Sequence, residues 1–126
     1  NIAGDGCFRM NCHELATVEH YHLPIITVVF NNGTLGMVRQ WQNLFYGERY
    51  SSTTLYDKVD FVKLAESYGA KGIRVTEKSE MKAAFEQAKA NRALKVPTLI
   101  EFMLDPEVQV YPMVRPGGTL EDLLMD

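Results

Sequence analysis

The chain has 126 residues, of which 46% are hydrophobic and 23% charged, and its formal net charge is −3 at neutral pH. This length and balance are typical of one globular domain with a sizeable core. The lack of a basic block argues against a nucleic-acid partner, and no apolar run approaches the roughly 18 residues that a membrane span requires.

The first residues predict that the chain is part of a longer protein. Asn1 is not an initiator Met, and only three residues precede the Gly4-Asp5-Gly6 motif, too few for the strand expected before such a turn. We therefore expect a domain that lacks its N-terminal portion. No charged-then-apolar leader is present, so we expect a cytoplasmic protein. Cys7 and Cys12 lack zinc-site spacing and are expected to be reduced thiols.

Strand and helix signals alternate along the chain, and glycines, prolines and asparagines separate them. The first predicted elements are the end of a strand at Ile2-Ala3, a turn at Gly4-Asp5-Gly6, a helix from Asn11 (capping box with Glu14) to Tyr21, a strand from Ile25 to Phe30 and a turn at Asn31-Asn32-Gly33. A helix from Leu35 to Phe45, a loop from Tyr46 to Val59 and a helix from Asp60 to Tyr68, stopped by Gly69, are predicted next. The last predicted elements are a strand from Gly72 to Val75, a helix from Ser79 to Asn91, a strand from Thr98 to Leu104, and an irregular tail with a short helix from Leu120 to Met125.

This order predicts an α/β fold, a parallel sheet sandwiched by helices. In such sheets, ligands bind beyond the carboxyl ends of the strands. Two of the predicted turns, Gly4-Asp5-Gly6 and Asn31-Asn32-Gly33, leave strand ends one helical crossover apart. We expect them to lie side by side at one edge of the sheet.

The two turns together offer hard oxygen ligands. Asp5 supplies a carboxylate, Asn32 an amide oxygen, and Gly33-Thr34 backbone carbonyls, a set that suits Mg²⁺. A divalent cation beside one carboxylate keeps residual positive charge, which would attract a diphosphate to this acidic chain. Gly4 and Gly6 would let the backbone approach such a ligand closely.

Each turn alone is weak support for a site. Gly-Asp-Gly and Asn-Asn-Gly are common turn sequences, and the simplest alternative gives Asp5 and Asn32 ordinary turn roles. Three histidines suggest another metal, but His13-Glu14-Leu15-Ala16-Thr17 has Thr17 where the HExxH pattern of zinc proteases requires histidine. We expect the histidines on or near a helix surface.

The joint pattern is far more specific. GDGCFRMNCHELATVEHYHLPIITVVFNN resembles the thiamine-diphosphate motif, which runs from GDG to NN across one βαβ unit. It also resembles the GDG-x-F-x-M-x-x-x-E-L-x-T pattern of the decarboxylase and carboligase branch. The following GMVRQWQ run, the LFY that comes after it, and the later VYPM and PGG resemble the signature of acetolactate synthase large subunits. The resemblance covers essentially the whole chain.

The resemblance implies roles for particular residues. It implies that Mg²⁺ binds the side chains of Asp5 and Asn32 and the carbonyl of Thr34, and that Gly4, Gly6 and Cys7 lie against the diphosphate. Relatives commonly carry Ser at the position of Cys7, so a hydroxyl contact would be lost here, whereas a backbone contact would remain. The other residues implied to line the cofactor are Leu35, Gly36 and Met37, and those implied to line the substrate channel are Met37 and Trp41.

The implied activity is condensation of pyruvate with a second 2-oxo acid, pyruvate or 2-oxobutyrate, with release of CO₂. The family's activating glutamate lies in a separate N-terminal domain of a neighbouring subunit, and no residue here matches it. The resemblance therefore implies a homodimer that shares the cofactor site, no catalytic side chain in this chain, and inactivity of the chain alone. It further implies FAD in a middle domain outside this chain and, in many relatives, a regulatory small subunit.

Two rival interpretations remain open. A sister thiamine-diphosphate enzyme, a 2-oxo-acid decarboxylase or oxidase, would share the GDG-to-NN motif, although sister enzymes typically lack the GMVRQWQ run. A non-catalytic α/β module would use Asp5 and Asn32 only to form turns. Trp41 and Phe45, four residues apart, would also suit a core stripe of a helix.

Overall fold

Four parallel strands form the main sheet of this computed structural model, which describes residues 1–56 and 59–125. The strands are β1 (Ile2–Gly4), β2 (Ile26–Asn31), β3 (Lys71–Val75) and β4 (Thr98–Met103). Their spatial order is β1-β2-β4-β3, so β4, the last of the four in the chain, lies between β2 and β3.

Helices cover both faces of the sheet, as predicted. They are α1 (Asp5–Asn11), α2 (Leu15–His20), α3 (Gly36–Phe45), α4 (Phe61–Ser67) and α5 (Met81–Ala93), with 3-10 turns at Cys12–Glu14 and Lys78–Glu80. Among the described residues, no helix has the length and apolar character needed to cross a lipid bilayer.

The core consists of two apolar clusters, one on each face. Strand residues alternate between faces, so Val29 and Leu99 pack with Phe61 of α4, whereas Val28 and Ile100 point to the other face. The first cluster comprises Phe8, Leu15, Val29, Phe61, Ala65, Ala70 and Leu99, and the second, beneath α5, comprises Val28, Val75, Ala84, Ala88, Ile100 and Phe102. Burial on both faces explains why β2 and β4 are mostly apolar, with Glu101 as the one charged residue of β4.

The helix predicted from Asn11 begins earlier than expected. The chain becomes helical at Asp5, directly after the extended Gly4, and passes through the Cys12–Glu14 turn into α2. The predicted capping box is wrong, because the Asn11 side chain makes no capping hydrogen bond and Glu14 instead accepts a hydrogen bond from Thr17. Gly4-Asp5-Gly6 is therefore a strand-to-helix junction and not a free turn.

The predicted ends of α4 are confirmed. Asp60 caps its first turn by accepting a hydrogen bond from the Lys63 N–H at 3.2 Å, and Gly69, with a φ of +90°, ends it. The predicted loop after α3 forms an isolated antiparallel bridge between Thr54 and Thr34, and its residues 57 and 58 lie outside the described residues.

The predicted C-terminal helix is wrong. Leu123–Leu124 forms a short strand, β6, which pairs antiparallel with β5 (Met113–Val114). The Asp122 carboxylate accepts hydrogen bonds from the N–H and hydroxyl of Thr119, and these bonds form a turn instead of a helical start.

Candidate metal and cofactor site

Asp5 lies at the junction between β1 and α1, at the carboxyl end of the strand. Its side chain is 2% exposed, and its Oδ1 and Oδ2 accept hydrogen bonds from the N–H groups of Gly6 (2.9 Å) and Gly33 (3.0 Å). The Gly33 bond joins the two predicted turns directly. The structure therefore brings the Gly4-Asp5-Gly6 and Asn31-Asn32-Gly33 segments together at one edge of the sheet, as predicted.

Burial raises the pKa of the Asp5 carboxyl above its ordinary value, although the N–H groups of Gly6 and Gly33 and the charge of Arg9 act in the opposite direction. A buried carboxylate with a raised pKa favours a nearby cation, because a positive charge stabilises the ionised form that burial penalises. A carboxylate that accepts two hydrogen bonds keeps further lone pairs available for a metal ion.

The second turn, after β2, holds its side chains by local bonds. The Asn32 Oδ1 accepts a hydrogen bond from the Thr34 N–H at 3.1 Å, and Gly33 has a φ of +66°, a conformation that favours glycine. Thr34 is 5% exposed, and its hydroxyl is buried without a hydrogen-bond partner in the part of the chain that the structure describes. The turn therefore holds an amide oxygen and a buried hydroxyl on either side of Gly33, whose N–H contacts Asp5.

Backbone hydrogen bonds on both sides of Thr34 fix this turn to the loop that follows α3. The Leu35 N–H donates to the Thr53 carbonyl at 2.8 Å, and the Leu55 N–H donates to the Gly33 carbonyl at 2.9 Å. The Gly33 carbonyl is thus already engaged by one hydrogen bond within the protein.

Glycines allow the close contacts around the site. A Cβ on Gly36 would lie 2.8 Å from the Asn32 Nδ2, and a Cβ on Gly6 would lie 2.8 Å from a methyl group of Leu35. At Gly4, by contrast, a Cβ would meet no atom within 4 Å. Open space beside Gly4 is what a ligand lying against this backbone would need.

Helix α3 begins at the second turn and carries the predicted channel residues. Met37 is 51% exposed on its first turn, and Leu35, just before the helix, is also exposed. Trp41 is half-buried, and its ring packs edge-on against Phe45 with 5.5 Å between centroids. Trp41 thus has a packing contact, whereas Met37 projects from the surface near the turn. Cys7 is exposed on α1, and both cysteines are free.

The side chain of Gln40 holds the C-terminal segment on α3. Gln40 is buried, and its amide pairs with Val110 through two bonds, Nε2 to the Val110 carbonyl (2.9 Å) and Oε1 from the Val110 N–H (2.8 Å). Arg39 forms an ion pair with Glu107 and lies over the Tyr50 ring at 4.0 Å.

A polar row at the same sheet edge has no counterpart in the sequence predictions. The side chains of Asn31, Glu101 and Arg74 come from β2, β4 and β3, and they lie on the face covered by α1 and α4. Asn31 Nδ2 donates to Glu101 Oε1 at 2.7 Å, and Arg74 Nε donates to Glu101 Oε2 at 2.8 Å. Sequence reasoning overlooked this row, although a glutamate inside the apolar run Thr98–Met103 was a visible signal.

A cleft of about 570 Å³ opens over this row and reaches Asp5. Its lining includes the polar row, the Gly33 backbone and Asp60. Among the described residues, no group of three or more His, Cys, Asp or Glu side chains is placed to hold a metal ion, and the three histidines are exposed. A metal at this edge would rely on one carboxylate, an amide and a backbone carbonyl, which suit Mg²⁺ better than Zn²⁺.

Comparisons with known proteins identify the family of this chain. Residues 1–102 match the family described as thiamine pyrophosphate enzyme, C-terminal TPP binding domain. The chain belongs to this family. Thiamine pyrophosphate and thiamine diphosphate are the same cofactor, so membership supports the predicted cofactor and confirms the α/β fold of this C-terminal TPP-binding domain.

Curated relatives and a solved structure extend the match. A probable acetolactate synthase large subunit from Methanocaldococcus jannaschii is 45% identical over 98% of this chain and 20% of its own length. The acetolactate synthase isozyme 2 large subunit of Escherichia coli is 42% identical over 98% of this chain and 22% of its length. The thiamine diphosphate-dependent 4-hydroxybenzoylformate decarboxylase of Rhodococcus jostii has a TM-score of 0.73 and 30% identity, covering 82% of this chain and 19% of that protein.

These matches confirm the predicted resemblance to acetolactate synthase large subunits. The TPP-binding domain spans about a fifth of the length of the curated relatives that it matches. The structural similarity to a decarboxylase that depends on the same cofactor agrees with membership of this family.

Proposed function

We propose that this domain holds the diphosphate end of thiamine diphosphate through Mg²⁺ in an acetolactate synthase, which condenses pyruvate with pyruvate or 2-oxobutyrate and releases CO₂. The bond from the Gly33 N–H to the Asp5 carboxylate is the observation that carries the proposal, because it joins the two halves of the motif at one sheet edge. The sequence matches to acetolactate synthase large subunits support the choice of reaction.

Each residue in the proposed site has a specific task. Asp5 and Asn32 bind the metal ion through side-chain oxygens, and Thr34 binds it through its carbonyl. Gly4, Gly6 and Cys7 offer backbone atoms to the diphosphate at the beginning of α1. Leu35, Gly36 and Met37 line the cofactor, and Met37 and Trp41 face the substrate channel.

Bound thiamine diphosphate would supply the carbon–carbon bond chemistry, and the residues of this domain would bind and orient it. Asp5 would hold the metal ion with its buried carboxylate, and the bound ion would supply positive charge to the phosphate oxygens. The exposed side chain of Met37, next to the metal-binding turn, offers an apolar surface to the reacting end of the cofactor.

The remaining parts of the enzyme belong to the same proposal. Residues 1–126 form the C-terminal cofactor-binding domain of a longer cytoplasmic protein, in which pyrimidine-binding and FAD-binding middle domains complete each subunit. Two subunits share the cofactor site, and the activating glutamate comes from the partner. The chain alone is then inactive, and a regulatory small subunit is a further expected partner, since relatives are named large subunits.

The first experiment is product analysis with the intact protein, pyruvate, thiamine diphosphate and Mg²⁺. We expect acetolactate from the unaltered protein and none from Asn32→Ala, because the amide ligand of the metal is lost. Asn11→Ala is the matched control, since Asn11 is exposed at the far end of α1 and should leave turnover unchanged. Absence of both turnover and Mg²⁺-dependent cofactor binding would contradict the proposal.

The similarity to a decarboxylase defines a second candidate, a sister enzyme with the same cofactor. Acetaldehyde or acetyl phosphate in place of acetolactate would retain the metal and cofactor site and reject the carboligase reaction. The GMVRQWQ segment, which forms the first part of α3, favours acetolactate synthase.

A further inference from the structure

Glu101 occupies an unexpected place for a charged residue. It lies in the middle of β4, where the residues from Thr98 to Phe102 are all buried, and it is 1% exposed. Buried ion pairs rarely stabilise a fold more than apolar side chains of similar size would. The carboxylate therefore calls for an explanation other than stability.

Both oxygens of Glu101 have specific donors. Oε2 accepts from Arg74 Nε, and Arg74 Nη2 donates in turn to Asp60 Oδ1 at 2.6 Å. The Glu101 carboxylate and Asp60 raise the pKa of the Arg74 guanidinium, so this partner remains charged. Oε1 accepts from Asn31 Nδ2 at 2.7 Å, at the end of β2.

The bond to Asn31 fixes the orientation of its amide. An ionised carboxylate only accepts hydrogen bonds, so the NH₂ group of Asn31 must face Glu101 and its Oδ1 must face the other way. That oxygen accepts from the Gly33 N–H at 3.2 Å, and the same N–H donates to Asp5 Oδ2 at 3.0 Å. With the amide reversed, its NH₂ group would face the Gly33 N–H, and two donors would oppose each other.

We propose that Glu101 is a positioning residue for the metal site: by fixing the Asn31 amide, it directs the Gly33 N–H to the two acceptors Asn31 Oδ1 and Asp5 Oδ2 and sets the geometry of the turn that carries Asn32. This inference rests on the metal site of the proposed function. In that proposed site, Glu101 itself touches neither the metal ion nor the cofactor. Arg74 and Asp60 anchor Glu101 from the other side, which ties the metal-binding turn to the start of α4.

Glu101→Gln tests the proposal in the intact protein. Glutamine replaces one of the two acceptor oxygens by an NH₂ group, so it presents a donor to either Asn31 or Arg74, both of which are donors here. We expect the Mg²⁺ dissociation constant, titrated by calorimetry with saturating thiamine diphosphate, to rise about 10-fold, as for other outer partners of metal ligands. Glu86→Gln is the matched control, because Glu86 is exposed on α5 and pairs only with Lys89 among the described residues, and it should bind like the unaltered protein.

A double-mutant cycle separates positioning from general loss of structure. If Glu101 acts through Asn31, Glu101→Gln should add nothing to the loss of affinity in Asn31→Ala. Hydrogen exchange should also be faster in residues 31–36 of Glu101→Gln, with the exchange of α5 unchanged. Additive losses of affinity, or exchange that rises equally across the domain, would overturn the proposal.

The remaining outcomes are also decisive. If Glu101→Gln does not fold, Asn31→Ala carries the test alone, since it leaves the Glu101–Arg74 pair intact, and unchanged Mg²⁺ affinity in that variant would overturn the inference. Normal Mg²⁺ affinity in a folded Glu101→Gln would reject the inference and leave the proposed function standing. Failure of the unaltered protein to bind thiamine diphosphate with Mg²⁺ would reject both.

Discussion

The two faces of the sheet are built from the same strands, but they carry different side chains at the carboxyl ends of those strands. Toward α5, apolar side chains continue to the ends of the strands, as Phe102 and Val75 do. Toward α1 and α4, the apolar layer stops after Val29 and Leu99, and the polar row of Asn31, Glu101 and Arg74 replaces it.

Under the proposed function, this difference separates stability from binding within a single sheet. Apolar burial on the α5 face stabilises the fold, with about 25 cal/mol for each Å² of apolar surface removed from water. The polar end of the other face contributes little net stability, because desolvation opposes its ion pairs and hydrogen bonds. Substitutions on the two faces should therefore change different measurements.

The largest expected effect is at the polar edge. Asp5→Ala should weaken Mg²⁺-dependent binding of thiamine diphosphate by about 100-fold or more, since loss of a direct ligand should exceed the cost of disturbing an outer partner. Calorimetric titration measures it, and Asp105→Ala, an exposed aspartate after β4, is the control. Retained binding in Asp5→Ala would place the metal elsewhere.

Substitutions on the face covered by α5 should lower the stability of the fold and leave binding unchanged. Ile100 is fully buried beneath α5, so Ile100→Ala should lower the free energy of unfolding by about 2–5 kcal/mol through lost burial and a cavity. Below the unfolding transition, the variant should bind thiamine diphosphate and Mg²⁺ with unchanged affinity. Denaturant unfolding and titration of the same sample test both statements, and a large loss of affinity would contradict the separation of the two faces.

Two glycine substitutions sharpen the comparison at the binding edge. Gly4→Ala places a methyl group in open space next to extended backbone, so stability should change little, whereas binding should weaken about 10-fold if the diphosphate lies there. Gly36→Ala should weaken metal binding similarly by displacing Asn32, although alanine favours the helix. Thermal unfolding and cofactor titration distinguish these effects, and unchanged cofactor affinity in Gly4→Ala would remove Gly4 from the site.

The smallest expected effect concerns Asp60, which links the polar row to α4. The hydrogen bond from the Lys63 N–H, together with Arg74, lowers the pKa of the Asp60 carboxyl in the folded protein. The ionised carboxylate therefore stabilises the fold fully at pH values above its ordinary pKa near 3.8. This contribution is lost as the pH falls through the lower pKa of the folded protein. Asp60→Ala should cost about 1 kcal/mol at neutral pH.

Asp60→Asn retains a capping group and should cost less than Asp60→Ala at neutral pH. Unfolding measured across pH for the three proteins should show the cost of Asp60→Ala to be constant above about pH 5 and smaller in strong acid. A cost that grows as the pH falls would contradict a lowered pKa of the Asp60 carboxyl in the folded protein.

The sequence predicted the layers of the fold and the pairing of the two turns, because both follow from local patterns joined by one βαβ rule. The beginning of α1 at Asp5 could not be predicted from the sequence, because Gly-Asp-Gly locally favours a turn. The hydrogen bond from Gly33 to Asp5, which comes from a distant part of the chain, accompanies the direct junction of strand and helix there. The roles of Asn31, Glu101 and Arg74 depend on strand order, which places residues 27 and 70 positions apart in contact.

The C-terminal strand pair was missed for a similar reason. Leu123 and Leu124 carry no strand signal of their own, and their pairing with Met113 and Val114 depends on the chain reversing between them. The segment before that pair is held by Gln40, a contact over 70 positions that spacing alone could not indicate.

The Gln40 amide contacts Val110 only through its backbone, accepting from its N–H and donating to its carbonyl, and the same Nε2 also donates to the Met113 Sδ at 3.2 Å. Attachment of the C-terminal segment to α3 is therefore indifferent to the side chain at position 110, which is exposed. A cysteine introduced there could carry a fluorescent label without loosening the attachment, and its signal would report on the helix that bears Met37 and Trp41. Replacement of Gln40, by contrast, would remove both of the bonds that hold Val110.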